Sequence, residues 1–492
     1  MLKKFFTKER IVLLLILLLA FALRLYKIDN PIADWHSWRQ ADTAAVSRSF
    51  IEYGFHPLYP RFEDLSNSPS RLENPQGWRF VEFPIFNLIH AGFFKLIGIF
   101  NLDIWGRLTA VVASLFSLFF LYLIIAKFWG KRTGLFSVFF FAVLPFNIFY
   151  SRAILPEPLM IAFSLGAIYF FEANWTISLL LGILALLTKP YAVFIMALPM
   201  AYLVINKFWE NRKDKKETKK IIISAFLYAI LVFIPLVLWR IWMRQFPEGI
   251  PSNQWLFNAG NMRLKPVWWR WLFYERIGKL ILGGWGTFFL ALGLMGKKKK
   301  YADRFFYSFI LGSLLFLIVI ARGNIQHDYY QALIIPAICI YLGRGLETAL
   351  YQTKKKSYSI INYLLLTAIF VFTLAFSWYE VKGYYQINNP VIVEAGQKAD
   401  KILPSNAKII APYQGDTAFL YQTNRPGWPL ITSSIKNMIN LGATHYVSVN
   451  FDETTKEIME KYKILEKTDR YVIVELEKIP KFQNSKTQSK VK

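Results

Sequence analysis

The sequence predicts a polytopic α-helical membrane protein whose chain ends in a small α/β domain on the outer face. Three observations carry that prediction: about eleven apolar runs long enough to cross a bilayer, basic clusters between alternate runs, and a change to mixed polar sequence after residue 379. With 492 residues, 55% of them hydrophobic and 44 of them Phe, the chain is too apolar for an ordinary soluble protein and long enough for many spans. Its 58 Lys and Arg against 32 Asp and Glu give a net charge of +26. Such an excess can mark a nucleic-acid partner, but here it lies in short clusters between apolar runs. That is a topology signal, and no nucleic acid is expected. The single cysteine, Cys339, lies inside an apolar run, which excludes an intrachain disulfide framework and a thiolate metal site.

The first run, near 10–28, follows Lys3, Lys4, Lys8 and Arg10 and continues unbroken to Tyr26. That pattern fits an uncleaved signal anchor better than a cleaved signal peptide. Further runs lie near 105–127, 133–150, 157–173, 175–188, 190–206, 221–243, 280–296, 304–321, 331–350 and 358–379. The run 175–188 is short for a span. With the N-terminus inside, the clusters "KFWGKR" (127–132), "KFWENRKDKKETKK" (207–220), "GKKKK" (296–300) and "YQTKKK" (351–356) all fall on the cytoplasmic side. Removing one span from the middle would put three of these four outside.

The same parity assigns to the outer face the loop 29–104, the turns 151–158, 187–190 and 322–330, the loop 244–279 and the tail from 380. The first loop is too long for a connector. Within "ADTAAVSRSFIEYGF", Ala45, Val46, Phe50 and Ile51 share one side at helical spacing, and Asp42 is placed to cap the start, predicting an amphipathic helix. "PIFNLIHAGFFKLIG" (84–98) opens on Pro84, is apolar over most of its surface and is too short to span, so it is expected to lie in the interface. In the tail, the apolar runs "AKIIAP", "THYVSVN" and "RYVIVELE" alternate with "SSIKNMINLGA" and "ETTKEIMEKY". They predict an α/β domain over 380–480, followed by a disordered tail over 481–492 and preceded by a membrane domain over 1–379.

The order of these features resembles a known class. A first helix, a large outer loop with two interfacial helices, "LPEPLM" before the fourth helix, "LLTKP" between the fifth and sixth, "HDYYQALIIP" entering a late helix and a small α/β tail are similar to the GT-C glycosyltransferases. Closest are the family 39-like enzymes related to protein O-mannosyltransferases and lipid A aminoarabinose transferases. The resemblance implies a GT-C fold and transfer of a sugar, with inversion, from a polyprenyl-phosphate carrier to a hydroxyl acceptor in the cell envelope, whether lipid, glycan or protein. It also implies a multi-pass protein of a cell membrane, for which a prokaryotic plasma membrane is the default, with the N-terminus cytoplasmic.

Attack by a hydroxyl on an anomeric carbon bearing a lipid phosphate needs a base for the proton and cations for the departing phosphate. Asp34 stands at the exit of the first helix, where related enzymes carry their catalytic carboxylate. Aligning "SRSF" with the family's first interfacial helix, however, puts Arg39-Gln40 where relatives have an Asp-Glu pair, so Asp42 is the alternative base. His36 either orients Asp34 or touches substrate, and no spaced His and carboxylate set around it suggests a metal, although a divalent cation stays open. Arg39 is a phosphate ligand or a headgroup anchor beside the interfacial Trp35 and Trp38.

Glu157, between two prolines at the mouth of a helix, is expensive near lipid and should face an internal cavity, positioning acceptor or sugar, or else cap its helix. Arg152 is placed to pair with it. Lys189 in "ALLTKPYAVF" either snorkels or, as the family's lysine at this turn implies, holds the carrier phosphate. "QHDYYQ" offers His327, Tyr329 and Tyr330 for sugar binding and a wall for the prenyl chain, against an aromatic belt. Arg263 and Arg270, among the tryptophans of the loop 244–279, are candidates to grip phosphate. Asn174-Trp175-Thr176 is a glycosylation sequon on the cytoplasmic side and should be unused. From other classes, a flippase of lipid-linked sugar would line a pathway with the same charges, but no broken mid-span helices suggest one. A polysaccharide polymerase or ligase would differ in using a lipid-pyrophosphate donor.

Overall fold

The computed structural model describes residues 7–296, 300–354 and 359–478. The expected disordered tail at 481–492 lies outside them. Helices stand at every apolar run: Lys8–Arg24, Leu102–Phe128, Lys131–Val143 continued by Pro145–Tyr150, Glu157–Phe170, Trp175–Thr188, Ala192–Asn211, Lys215–Met243, Gly286–Met295, Lys300–Val319, Ile335–Lys354 and Ser359–Val381. Among the described residues, six helical stretches are long and apolar enough to cross a membrane singly. The bent pair Pro266–Ile281 and Gly286–Met295, turned through 112°, makes a seventh if taken as one. The expectation of about eleven spans is therefore not met by length alone. Pro145 divides the stretch 133–150, and Glu157–Phe170 and Trp175–Thr188 have 14 residues each, about 21 Å of helix.

Lys215–Met243 and Ser359–Val381 leave rows of Ile, Leu and Phe exposed, as lipid-facing helices must. The inner helices meet more closely. A Cβ on Gly345 would lie 1.8 Å from the Phe289 carbonyl oxygen and one on Gly293 would lie 2.0 Å from that of Tyr341, so Ile335–Lys354 and Gly286–Met295 touch backbone to backbone. The first helix is tied in by the buried Arg24, which donates to Ser151 Oγ at 2.6 Å, Ser114 Oγ at 3.2 Å and the carbonyls of Ala20, Phe141 and Ala142. Asn174 serves as the N-cap of Trp175–Thr188, accepting from the Ile177 amide at 3.0 Å.

In the first loop, helix Ser37–Tyr53 begins five residues before the expected cap, with His36 in the left-handed region at φ 54°. Asp42 is thus in the second turn and caps nothing. The expected amphipathic surface helix is buried on nearly all sides, because the tail domain covers the side that would otherwise meet water. Ile85–Ile97 buries Phe86, His90 and Ala91 and projects Leu96 and Ile97 outward, as an interfacial helix would.

The tail folds as a five-stranded sheet of β1 (Ile409–Ile410), β2 (Gly427–Trp428), β3 (His445–Ser448), β4 (Tyr462–Lys467) and β5 (Val472–Lys478) in the order β2-β1-β3-β5-β4. β1 runs parallel to β2 and β3, and β5 is antiparallel to β3 and β4. One face packs Ile410, Tyr446 and Val474 against Met438 and Ile458. The other carries helix Pro390–Ile402 and helix Ala418–Gln422, and its apolar residues merge with Ala41, Ala45, Phe50 and Phe86 into one core. The tail and the first loop therefore bury a common interior.

Candidate active site

Charged side chains converge on a cavity of about 620 Å³ at the end of the membrane helices that carries the tail. Lys189, at the C-cap of Trp175–Thr188, is buried rather than snorkelling. Its ammonium bonds Glu157, lies 3.7 Å from Glu82 Oε1, and sits 5.1 to 5.6 Å from the ring centroids of Tyr191, Tyr329 and Tyr330. Glu157 is held at the start of its helix by Pro156 and Pro158, and makes no side-chain cap. Arg39 Nη2 meets Glu82 Oε1 at 2.5 Å. Burial pushes the Glu82 carboxyl up, but Arg39 and Lys189 outweigh it and hold it below the ordinary value. Arg240, near the end of Lys215–Met243, lines the same cavity.

Two more carboxylates, Asp42 and Asp64, line the same cavity. Asp42 Oδ2 accepts from Arg79 Nη2 at 2.5 Å, and Oδ1 lies 2.7 Å from Thr417 Oγ1 of the tail. Asp64 accepts the Ser66 amide at 2.8 Å and has no ion-pair partner among the described residues. Burial raises its carboxyl to about 7. His327, Tyr329, Tyr330, Trp38 and Trp255 supply the aromatic lining. Burial first, and then the neighbouring His36 and Lys189, lower the His327 imidazole to about 3, so it is neutral at physiological pH.

Asp34 stands apart from this cavity. It is fully buried, accepting from Gln40 Nε2 at 2.7 Å and Arg152 Nη2 at 3.2 Å, with Arg107 Nη2 at 3.6 Å. The two arginines also bind the carbonyls of Lys27, Ile28 and Asn30, so the triad clamps the exit of the first helix. Arg152 therefore pairs with Asp34 and not, as expected, with Glu157, whose partner is Lys189. His36 does not reach Asp34 either. Its Nε2 lies 2.6 Å from Asp328 Oδ1, and Asp328 also accepts from Trp35, Tyr150, Arg276 and Tyr384. That buried hub joins the first loop to three other segments. Arg263 contacts the Phe257 carbonyl at 3.5 Å and the exposed Arg270 lies 3.6 Å from Glu275, so neither lines the cavity.

The structure thus brings together Arg39, Asp42, Lys189, His327, Tyr329 and Tyr330, with Glu157 behind Lys189, and adds Asp64, Arg79, Glu82, Arg240 and Thr417. One signal for Glu82 was available. It stands two residues before Pro84 at a helix start, much as Glu157 and Lys189 immediately precede Pro158 and Pro190. Among the described residues, no three His, Cys, Asp or Glu side chains form a group fit for a metal ion.

The helices frame a polar cavity beneath a small α/β domain, and the fold is similar to that of solved GT-C glycosyltransferase structures. Residues 81–239 match the family described as dolichyl-phosphate-mannose-protein mannosyltransferase. No curated protein matches the chain significantly in sequence. The chain is similar to ArnT from Cupriavidus metallidurans bound to undecaprenyl phosphate, with a TM-score of 0.62 and 12% identity over 94% of this chain and 97% of that one. It is also similar to the archaeal oligosaccharyltransferase AglB from Archaeoglobus fulgidus, in complex with an inhibitory peptide and a dolichol-phosphate. There the TM-score is 0.60 at 10% identity, covering 89% of this chain and 69% of that one. The arabinofuranosyltransferase AftD from Mycobacteria gives a TM-score of 0.51 and 13% identity over 89% of this chain and 35% of that one.

Proposed function

We propose that this protein is a membrane glycosyltransferase that moves a sugar, with inversion, from a polyprenyl-phosphate donor to a hydroxyl acceptor of the cell envelope. The observation that carries the reading is a single cavity lined both by the cations Arg39, Lys189 and Arg240 and by the carboxylates Asp42 and Asp64. The GT-C fold raises its weight, as do the undecaprenyl phosphate bound to ArnT and the dolichol-phosphate bound to AglB. In this reading the chain crosses a cell membrane about eleven times, with the N-terminus cytoplasmic and the tail outside.

Arg39, Lys189 and Arg240 bind the donor phosphate, and their charge grows in value as the phosphate leaves. Glu82 and Glu157 hold Arg39 and Lys189 in place in the meantime. An apolar groove of about 340 Å³ between Ala192–Asn211 and Lys215–Met243, lined by Val193, Met196, Val232 and Phe233, takes the prenyl chain. Of the two carboxylates that the sequence offers as base, Asp42 faces the cavity and Asp34 is sealed behind it by Arg107 and Arg152. Asp42 therefore takes the acceptor proton as the acceptor oxygen bonds to the anomeric carbon. The bond from that carbon to phosphate breaks, and its electron pair leaves on the prenyl phosphate. Tyr329, Tyr330 and the neutral His327 contact the sugar.

The test is turnover of a panel of undecaprenyl-monophosphate and undecaprenyl-pyrophosphate sugars in nanodiscs, with cell-envelope extract as acceptor. The expected result is release from a monophosphate donor alone, with Arg39→Gln and Lys189→Met raising donor KM at least tenfold. Intact donors together with movement of lipid-linked sugar across the bilayer would replace the enzyme with a transporter. Consumption of pyrophosphate donors only would make it a polymerase or ligase.

A further inference from the structure

The tail domain reaches into the cavity at one loop. Left-handed backbone at Gln414 (φ 54°) and Gly415 (φ 82°) turns the chain there, and Gly415 and Thr417 line the cavity. Asp416 Oδ2 accepts from Ser37 Oγ at 3.0 Å, while its Oδ1 accepts the Ala418 amide at 2.7 Å just before helix Ala418–Gln422. Thr417 Oγ1 lies 2.7 Å from Asp42 Oδ1 and 3.1 Å from the Trp38 carbonyl. Since Oδ2 of Asp42 is bonded to Arg79, the two contacts together fix the plane of the carboxylate.

A second seam holds Asp64. The Leu65 amide donates to the Gly427 carbonyl at 2.7 Å and the Gly427 amide to the Glu63 carbonyl at 2.8 Å, so a single parallel bridge joins Asp64 to Gly427 at the start of β2. Asp42 and the segment that carries Asp64 are thus both bonded to tail residues, whereas the side chains of Arg39, Lys189 and Arg240 bond to residues outside the tail.

We infer that the tail domain helps to position the base of the active site and that Thr417 is the positioning residue for Asp42. The inference rests on the glycosyltransferase reading above. A base that must meet a hydroxyl near 3 Å loses rate steeply when its rotamer is free, because about 1 Å of misplacement can cost on the order of a hundredfold. Thr417 bonds to Asp42 and the Trp38 carbonyl and to none of Arg39, Lys189 and Arg240, so donor binding should not notice. The hydroxyl is the active part of Thr417, so serine should replace it and the isosteric valine should not.

The experiment compares wild type, Thr417→Val and Thr417→Ser as full-length protein in nanodiscs, using undecaprenyl-monophosphate sugars as donor probes and cell-envelope extract as acceptor. Thr417→Val is expected to lower kcat at least tenfold with donor KM within about twofold of wild type, and Thr417→Ser to stay within about threefold in both. Thr417→Ala takes the place of the valine variant if the latter is not recovered folded. A valine or alanine variant as fast as an active wild type overturns the inference alone, as does a serine variant as slow as the valine one. A wild type silent on every donor overturns the parent reading, and the inference with it.

Discussion

At the scale of single residues, the carboxylates Asp34, Asp42 and Asp64 have different partners and should behave differently. Asp34 is compensated by two buried guanidinium groups, and removing one member of such a set leaves charge uncompensated at a cost of about 3–5 kcal/mol. Asp34→Ala should therefore lower the thermal unfolding midpoint of the detergent-solubilised protein by several degrees, and an unchanged midpoint would remove the clamp from the account. Asp64 has no ion-pair partner among the described residues, and the more distant Arg79 offsets its burial only in part. With its folded value raised to about 7, above an unfolded value of about 3.9, it holds its proton longer in the folded state. Its contribution is thus most favourable below about pH 4 and is lost as pH rises through about 7. Asp64→Asn should flatten that part of the stability profile and raise the unfolding midpoint at pH 8 relative to wild type. Equal slopes for the two proteins between pH 5 and 8 would contradict it.

At the scale of elements, glycine decides how near the inner helices come. Gly345 is where Ile335–Lys354 meets the Phe289 carbonyl, and a methyl group there has no room unless the helices separate. Gly345→Ala should cost about 1–3 kcal/mol, read as a lower unfolding midpoint and lower yield of folded protein. The apolar runs made most helix positions legible in the sequence, since residues that must face lipid cannot be disguised. The first-loop helix was legible as a helix but not as a buried one. Its Ser37, Asp42 and Arg48 look like a solvated face until Asp416, Thr417 and Tyr421 from almost 380 residues away are set against them. The number of spans is less legible for a related reason: composition reports apolarity, while length and breaks such as Pro145 come from packing.

At the scale of the whole molecule, the site is a meeting of three parts: membrane helices supply Lys189 and Arg240, the first loop supplies Arg39, Asp42, Asp64 and Glu82, and the tail supplies Thr417. Lys189, Tyr329 and Tyr330 could be read from the sequence because an ammonium and two phenols at the edge of apolar runs demand an explanation. Asp64 and Arg79 could not, because in a polar loop they resemble any solvated charge. Asp34 was the reverse case, a residue at a telling position whose partners Arg107 and Arg152 make it part of the frame. The central claim is that the cavity-facing Asp42, and not the enclosed Asp34, serves as the base of sugar transfer. Its most direct measurement is single-turnover sugar transfer from a polyprenyl-monophosphate donor by wild type and Asp42→Asn, with the unfolding midpoint of each recorded. The account predicts a rate reduced at least a hundredfold in Asp42→Asn with the midpoint held to within a few degrees. A folded Asp42→Asn that transfers sugar at the wild-type rate would contradict it.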